Sequence, residues 1–328
     1  MRVAVLGMGN MGRAVAARLL AQGYHVTVWN RTPGRAAEVV ESGAVEASSP
    51  RQAARDAEAV LMSLTDERAA LEVMSALTGP GDGPPAQDTR DPDDTGRSGG
   101  PGGFSGSEGS GHSEGASGSY GSDGSRVVVD MSTVSPEASR RLRELAPGRR
   151  FLAAPILGAP QAVLSGSAAG LVGGDRALAE RLEPIWSRLF SAHWYCGADP
   201  GEASAFKLLN NYLLMAGIAV LGEVVATAEA AGLDRTLLRE VLRSWPTVAP
   251  GLHNRLDDLI AGRHEGWFAT ALGAKDVRLL TEVAESNGVS PPIARLVQRR
   301  YEEAVSEGWR DADITAVVEL LRRRPSPP

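Results

Sequence analysis

Lys207 and Asn211, four residues apart, form the pair in this chain best suited to proton chemistry. They end the segment Gly201-Glu202-Ala203-Ser204-Ala205-Phe206-Lys207-Leu208-Leu209-Asn210-Asn211, and the run after it, to about Ala231, is apolar on nearly every face. An i, i+4 spacing places both side chains on one side of a helix, where they can point into a single cleft. A helix apolar all round is expected to be mostly buried. Burial lowers a lysine's pKa towards neutrality and makes it a usable proton donor or acceptor. Spacing alone leaves a second reading open, in which Lys207 snorkels to the surface and Asn211 bonds only backbone. The five histidines, His264 beside Glu265 among them, are isolated. With a single cysteine, Cys196, no group has metal-ligand spacing, and no metal site is expected.

A second chemical signal lies at the N-terminus, where Gly7-Met8-Gly9-Asn10-Met11-Gly12 fits the pattern G-x-G-x-x-G. Alone that pattern is weak, because glycine turns are common. Its setting strengthens it, since it follows the apolar run Arg2-Val3-Ala4-Val5-Leu6 and opens the helical run Gly12 to Leu20. Gly7 serves a tight turn, Gly9 allows close backbone approach to a pyrophosphate, and Gly12 allows close helix–strand packing. The helix N-terminus, with Met8, Asn10 and Met11 around it, then faces the phosphates of a dinucleotide. Gly23 ends the helix and His25-Val26-Thr27-Val28-Trp29 supplies a second strand. An NAD-selective site puts Asp or Glu at the end of that strand to hold the ribose 2′-hydroxyl. Here Asn30-Arg31-Thr32 stand there instead, and an arginine fork with a hydroxyl suits a 2′-phosphate. NADPH is the expected cofactor, ahead of NADH. Arg35 is read as a solvated helix residue ahead of the alternative, a second positive charge for that phosphate.

These residues need an α/β scaffold, and the chain has the pattern for one. From Met1 to about Thr78 apolar runs alternate with amphipathic segments, the signature of a parallel sheet flanked by helices. The tract from about 79 to 125 is Gly, Ser, Asp and Pro, and it reads as a disordered surface insertion. The strand pattern resumes at Arg126-Val127-Val128-Val129-Asp130 and runs to Ala192-His193-Trp194-Tyr195-Cys196. Strand signals then vanish. The expected architecture is a Rossmann-type α/β domain over 1–200 and an all-helical domain over 201–328, joined by a long interdomain helix. Helix ends are expected near Gly232 and at Pro246 and Pro250, and the tail from Arg322 reads as frayed.

With 34 Lys and Arg against 40 Asp and Glu, the net charge of −6 gives no reason to expect nucleic acid or an anionic membrane as partner. Met1 leads straight into an apolar run with no charged region before it, so no signal peptide is expected. The apolar stretch Leu213 to Val225 is interrupted and reads as too short to cross a bilayer. The lone Cys196 suits a reducing cytoplasm.

Taken together the blocks resemble the β-hydroxyacid dehydrogenases, the group of 3-hydroxyisobutyrate dehydrogenase and its glyoxylate and succinic-semialdehyde reductase relatives. The glycine loop comes first, then Asp130-Met131-Ser132-Thr133-Val134-Ser135-Pro136, then Phe151-Leu152-Ala153-Ala154-Pro155, then Gly201 to Asn211, then Lys275-Asp276. The resemblance implies a catalytic lysine at Lys207, with Asn211 as its partner in the motif. It implies that Ser132 and Thr133 line substrate and nicotinamide, that Leu64 and Thr65 lie over the cofactor, and that Lys275 reaches it. It also implies a small-molecule substrate and a homodimer or larger homo-oligomer in which helical domains pair. Where that family commonly reads Asp-Ala-Pro-Val-Ser-Gly-Gly, this chain reads Ala153-Ala154-Pro155-Ile156-Leu157-Gly158-Ala159-Pro160. Leu157, Ala159 and Pro160 are therefore expected to make the substrate pocket more apolar. Trp29-Asn30-Arg31-Thr32-Pro33-Gly34 and Glu319-Leu320-Leu321-Arg322 also resemble the imine reductases. Lys207 favours carbonyl or alcohol chemistry over that alternative, and over a non-catalytic binding module on the same fold.

Overall fold

The computed structural model describes residues 1–78 and 126–322. The expected insertion at about 79–125 and the residues after Arg322 lie outside the described residues. Short apolar runs without a polar alternation need cover on both faces, which is the situation of a parallel sheet. Six such strands lie parallel in the order β3-β2-β1-β4-β5-β6. They are β1 (Arg2–Leu6), β2 (His25–Trp29), β3 (Val45–Glu46), β4 (Ala59–Met62), β5 (Val127–Asp130) and β6 (Phe151–Ala153). The two-residue period of a strand divides their side chains between two cores. Val3, Val5, Leu61 and Val129 pack with Val15 and Leu19 on one face. Ala4, Leu6, Met62 and Val128 pack with Met74 and Leu142 on the other.

Beyond β6 the sheet reverses direction. Both β6 and β7 (Ile156–Leu157) pair antiparallel with β8 (Ala169–Gly174), and β9 (Ala192–Gly197) pairs parallel with β8. The strand order switches between β1 and β4, so a crevice opens at their C-terminal ends, where doubly wound sheets bind ligands. The glycine loop follows β1 and Ser63-Leu64-Thr65 follow β4, so both lie at that crevice.

The long helix Pro200–Ala230 starts at Asp199, whose carboxylate accepts the Gly201 N–H at 3.1 Å, with Pro200 at the first helical position. It runs 31 residues, past Gly217 and Gly222, before Gly232 takes a left-handed turn at φ +70°. By length and composition it would reach across a bilayer, a span longer than its uninterrupted apolar run suggests. It lies instead between two packed units. Its first turns rest on the sheet layer, where Ala203 joins the core and the Ser204 and Ser139 hydroxyls share a 2.7 Å hydrogen bond. Its later turns bury Met215, Ile218, Leu221 and Val225 among helices, against Leu256, Val277, Tyr301 and Val318. The expectation that this helix is mostly buried does not hold. Phe206, Leu209, Leu213 and Val220 form a stripe along it, each more than half exposed. An apolar face reports a need for burial, and one chain does not supply all of it.

Among its described residues the C-terminal unit has helices and no strand, with an isolated bridge between Ala269 and Asp313. Arg322 is not frayed. Its guanidinium donates to Glu229 (2.8 and 2.9 Å), to Glu319 (2.7 Å) and to the Leu259 carbonyl (2.7 Å). The reading from composition failed because two of those acceptors, Glu229 and Leu259, lie 93 and 63 residues away in the chain.

The first helix, Asn10–Ala21, approaches the backbone of the glycine loop closely. Gly7 sits at φ +96° and donates its N–H to the Trp29 carbonyl at 2.8 Å. A side chain at Gly12 would run into the Gly7 carbonyl oxygen. Gly12→Val is therefore expected to destabilise the protein by at least the roughly 1–3 kcal/mol typical of overpacking. A lowered urea midpoint with an unchanged m-value checks this.

Candidate active site

A cavity of about 660 Å³ lies between the C-terminal edge of the sheet and the helical unit. Most of the candidate cofactor and catalytic residues of the sequence border it. At one end are Gly7, Met8, Gly9, Asn10 and Met11, with Asn30, Arg31 and Thr32 beside them. Leu64, Thr65, Ser132 and Thr133 form the middle, and Lys207, Asn211 and Lys275 the far end. Arg35, read as merely solvated, is exposed at the rim of the first end.

The first end fits a dinucleotide. Gly9 caps the helix with no side-chain hydrogen bond, and the space where its Cβ would stand is open. Backbone N–H groups at a helix start beside open space suit a pyrophosphate. Asn30 ties this loop to the strand end. Its Oδ1 accepts the Met8 N–H at 2.8 Å while its Nδ2 donates to the Thr32 carbonyl at 2.9 Å. Only an amide does both, since a carboxylate would face the Thr32 oxygen with a second acceptor. Arg31 Nη1 lies 3.4 Å from Glu72 Oε2, across the rim.

In the middle, Asp130 closes β5 and accepts the Ser132 N–H at 3.1 Å. Ser132 Oγ in turn accepts the Leu64 N–H at 2.9 Å, so the segments after β4 and β5 are locked together. Burial pushes the Asp130 carboxyl up to about 6, against the opposing pull of Ser132 and Lys275. Lys275 donates to the Thr133 carbonyl at 2.5 Å and pairs with Asp276 Oδ1 at 3.0 Å.

At the far end Lys207 is half-buried and turns into the cavity, not out to the surface. Its ammonium donates to the Ile156 carbonyl at 2.6 Å. Burial pulls its pKa down to about 8, with Asp276 opposing and Lys275 reinforcing the shift. Asn211 Nδ2 donates to Asp276 Oδ2 at 2.6 Å, so the asparagine and the lysine share one carboxylate in their surroundings. Asn210 and Leu214 border the cavity too, at +3 and +7 from Lys207, which the helical period would have shown.

The remaining walls were not legible. Trp267, Phe268 and Leu272 from the helical unit border the cavity, and Asn10 Nδ2 donates to the Trp267 carbonyl at 3.2 Å. A weak signal existed, two adjacent aromatics in a chain only 5% aromatic. Their support is a buried hub. Asp313 accepts Arg255 Nε at 3.2 Å and the Phe268 N–H at 3.2 Å. The Arg255 guanidinium sits 4.6 Å from the Trp267 ring centre, and the two aromatic rings stack 5.6 Å apart.

The altered loop needs correcting. Ile156 and Gly158 border the cavity, whereas Leu157, Ala159 and Pro160 do not. Leu157 turns towards the core beside Leu171 and Ala203, because neighbouring residues of a strand face opposite ways. Pro160 begins a helix, where a missing N–H costs nothing.

With this geometry in place, two family models cover most of the chain. Residues 2–82 and 114–197 match the NAD-binding domain of 6-phosphogluconate dehydrogenase. Residues 201–321 match the NAD-binding region of NADP-dependent 3-hydroxyisobutyrate dehydrogenase. The chain belongs to the β-hydroxyacid dehydrogenase family. It is an NAD(P)-dependent oxidoreductase. Glyoxylate/succinic semialdehyde reductase 1 of Arabidopsis thaliana is 27% identical over 98% of this chain and 99% of its own. A 3-hydroxyisobutyrate dehydrogenase from Salmonella typhimurium shares the fold with a TM-score of 0.78 at 20% identity, over 98% of this chain and 99% of that one. A Streptomyces aurantiacus imine reductase shares it with a TM-score of 0.57 at 24% identity, over 98% and 100%.

The Arg255–Asp313 pair is almost fully buried, so removing one partner strands the other's charge. Asp313→Ala is expected to cost about 3–5 kcal/mol of stability. Chemical denaturation measures it, and a loss below about 1 kcal/mol would remove the pair from its role as support.

Proposed function

We propose that this β-hydroxyacid dehydrogenase uses NADPH to interconvert a carbonyl and an alcohol, with Lys207 as general acid and base. The observation that carries the reading is the half-buried Lys207 ammonium, which borders the same cavity as the glycine loop and whose pKa desolvation pulls down to about 8. When bound, the nicotinamide supplies or takes up the hydride. In reduction Lys207 gives a proton to the carbonyl oxygen, and in oxidation it takes one from the alcohol. Asn211 and Ser132 flank that oxygen, each already oriented by a bond to Asp276 or to Leu64. Lys275 holds the Thr133 carbonyl and so keeps the middle of the cavity closed against the helical unit. Preference for NADPH is supported by Arg31, Thr32 and Arg35 at the first end and by the amide of Asn30 at the strand end.

The far end is walled by Ile156, Leu214, Trp267, Phe268 and Leu272, and no arginine borders it among the described residues. We therefore read the substrate as a carbonyl compound bearing an apolar group. NADPH consumption over a panel of aldehydes, ketones, keto acids and cyclic imines tests this. Activity confined to the imines would replace carbonyl chemistry with imine reduction.

Lys207→Met is expected to bind NADPH as before and to lose roughly 10²–10⁴-fold in turnover. Reduction needs the protonated lysine, so its rate falls as pH rises through about 8, and oxidation rises over the same range. A pH–rate profile that is flat through 8, or unchanged turnover in the variant, would sink the assignment.

The exposed stripe of Phe206, Leu209, Leu213 and Val220 supports a homodimer in which a second copy covers the long helix. Leu213→Glu with Val220→Glu is expected to shift the protein to monomers in light scattering. A native protein already monomeric at micromolar concentration would refute the pairing.

A further inference from the structure

We propose that Glu72 sets how strongly NADPH is preferred over NADH, by competing with the 2′-phosphate for Arg31. The inference rests on the NADPH reading above and concerns a residue to which that reading assigns no part.

Glu72 lies on the helix Glu67–Thr78, whose Ala69, Val73 and Ala76 also border the first end of the cavity. One oxygen of its carboxylate accepts Arg68 Nε at 2.8 Å, which fixes its direction. The other lies 3.4 Å from Arg31 Nη1. Arg31 is therefore engaged by an internal anion at the place where the strand end offers it to a 2′-phosphate. The side chains of Arg31 and Glu72 are 76% and 45% exposed, so water weakens their link and it exchanges readily.

A phosphate brings more charge than a carboxylate and presents several oxygens to the guanidinium fork, so it is the better partner for Arg31. Displacing Glu72 does not remove it. Its negative charge stays beside the phosphate and opposes it, while Arg68 offsets part of that repulsion. NADH carries no group there and meets no such opposition. The preference for NADPH is then smaller than Asn30-Arg31-Thr32 alone would produce, and Glu72 is the residue that lowers it.

The test measures NADPH and NADH dissociation constants by nicotinamide fluorescence for the full chain, its Glu72→Gln variant and its Arg31→Ala variant. Glu72→Gln is expected to tighten NADPH about 2- to 5-fold and leave NADH unchanged, the size expected for one exposed like-charge contact. The gain should shrink in 0.5 M NaCl, because exposed charges are screened. Equal changes for both cofactors would mean that Glu72 touches their shared adenosine, and the proposal falls. Weaker NADH with unchanged NADPH would make Glu72 a ribose ligand, which also overturns it. Arg31→Ala separates the two claims. A lowered NADPH preference there, with no gain in Glu72→Gln, overturns only the role of Glu72. An unchanged preference in Arg31→Ala removes the NADPH reading and this inference together.

Discussion

An ammonium drawn out of bulk water must be held by something, and the hold on Lys207 draws on both units of this protein. Its nearest partner is the Ile156 carbonyl, 2.6 Å away on β7, and its nearest opposing charge is Asp276. The first needs the reversal of the sheet after β6, which brings β7 beside β8 and under the long helix. The second needs the helix Thr270–Ser286 to pack against that same helix. Neither unit alone would supply both contacts. The long helix, seated on the sheet at its start and in the helical core further on, is where the two requirements meet.

The cavity is graded in polarity along its length. Its first end offers free backbone N–H groups and two exposed arginines, which suits anions. Its far end offers a lysine committed to a carbonyl, an asparagine committed to a carboxylate, and a wall of apolar side chains. The aromatic wall depends on a buried ion pair that no cavity residue contacts through a charged group of its own. Such a pair stabilises little in itself, and its value here lies in fixing the 267–268 segment.

The parallel strands were readable because their apolar runs report burial on both faces, and β2 matches its expected His25–Trp29 span. The glycine loop was readable because Gly7 and Gly12 answer local constraints, a positive φ and a backbone contact. Lys207, Asn211 and Lys275 were readable as residue types in ordered blocks. Leu157 was misread because its block carries no information about which neighbour faces the cavity. The helix Pro200–Ala230 was misread as buried because hydrophobicity states a demand for cover without saying which molecule meets it.

The sequence by itself determined the α/β-then-helical order of the chain, the presence of a nucleotide loop, and a lysine and an asparagine on one side of a helix. These follow from short-range rules, strand period, helix period and turn stereochemistry, that act over a few residues. Tertiary structure decided which reading of Lys207 holds, since its depressed pKa comes from burial under distant segments. It also decided that Asp276 faces Asn211, that Trp267 closes over Asn10, and that Glu72 meets Arg31. Those partners lie from 41 to 257 residues apart in the chain. Such contacts form only when the sheet and the helical unit pack together, and no local pattern encodes that packing.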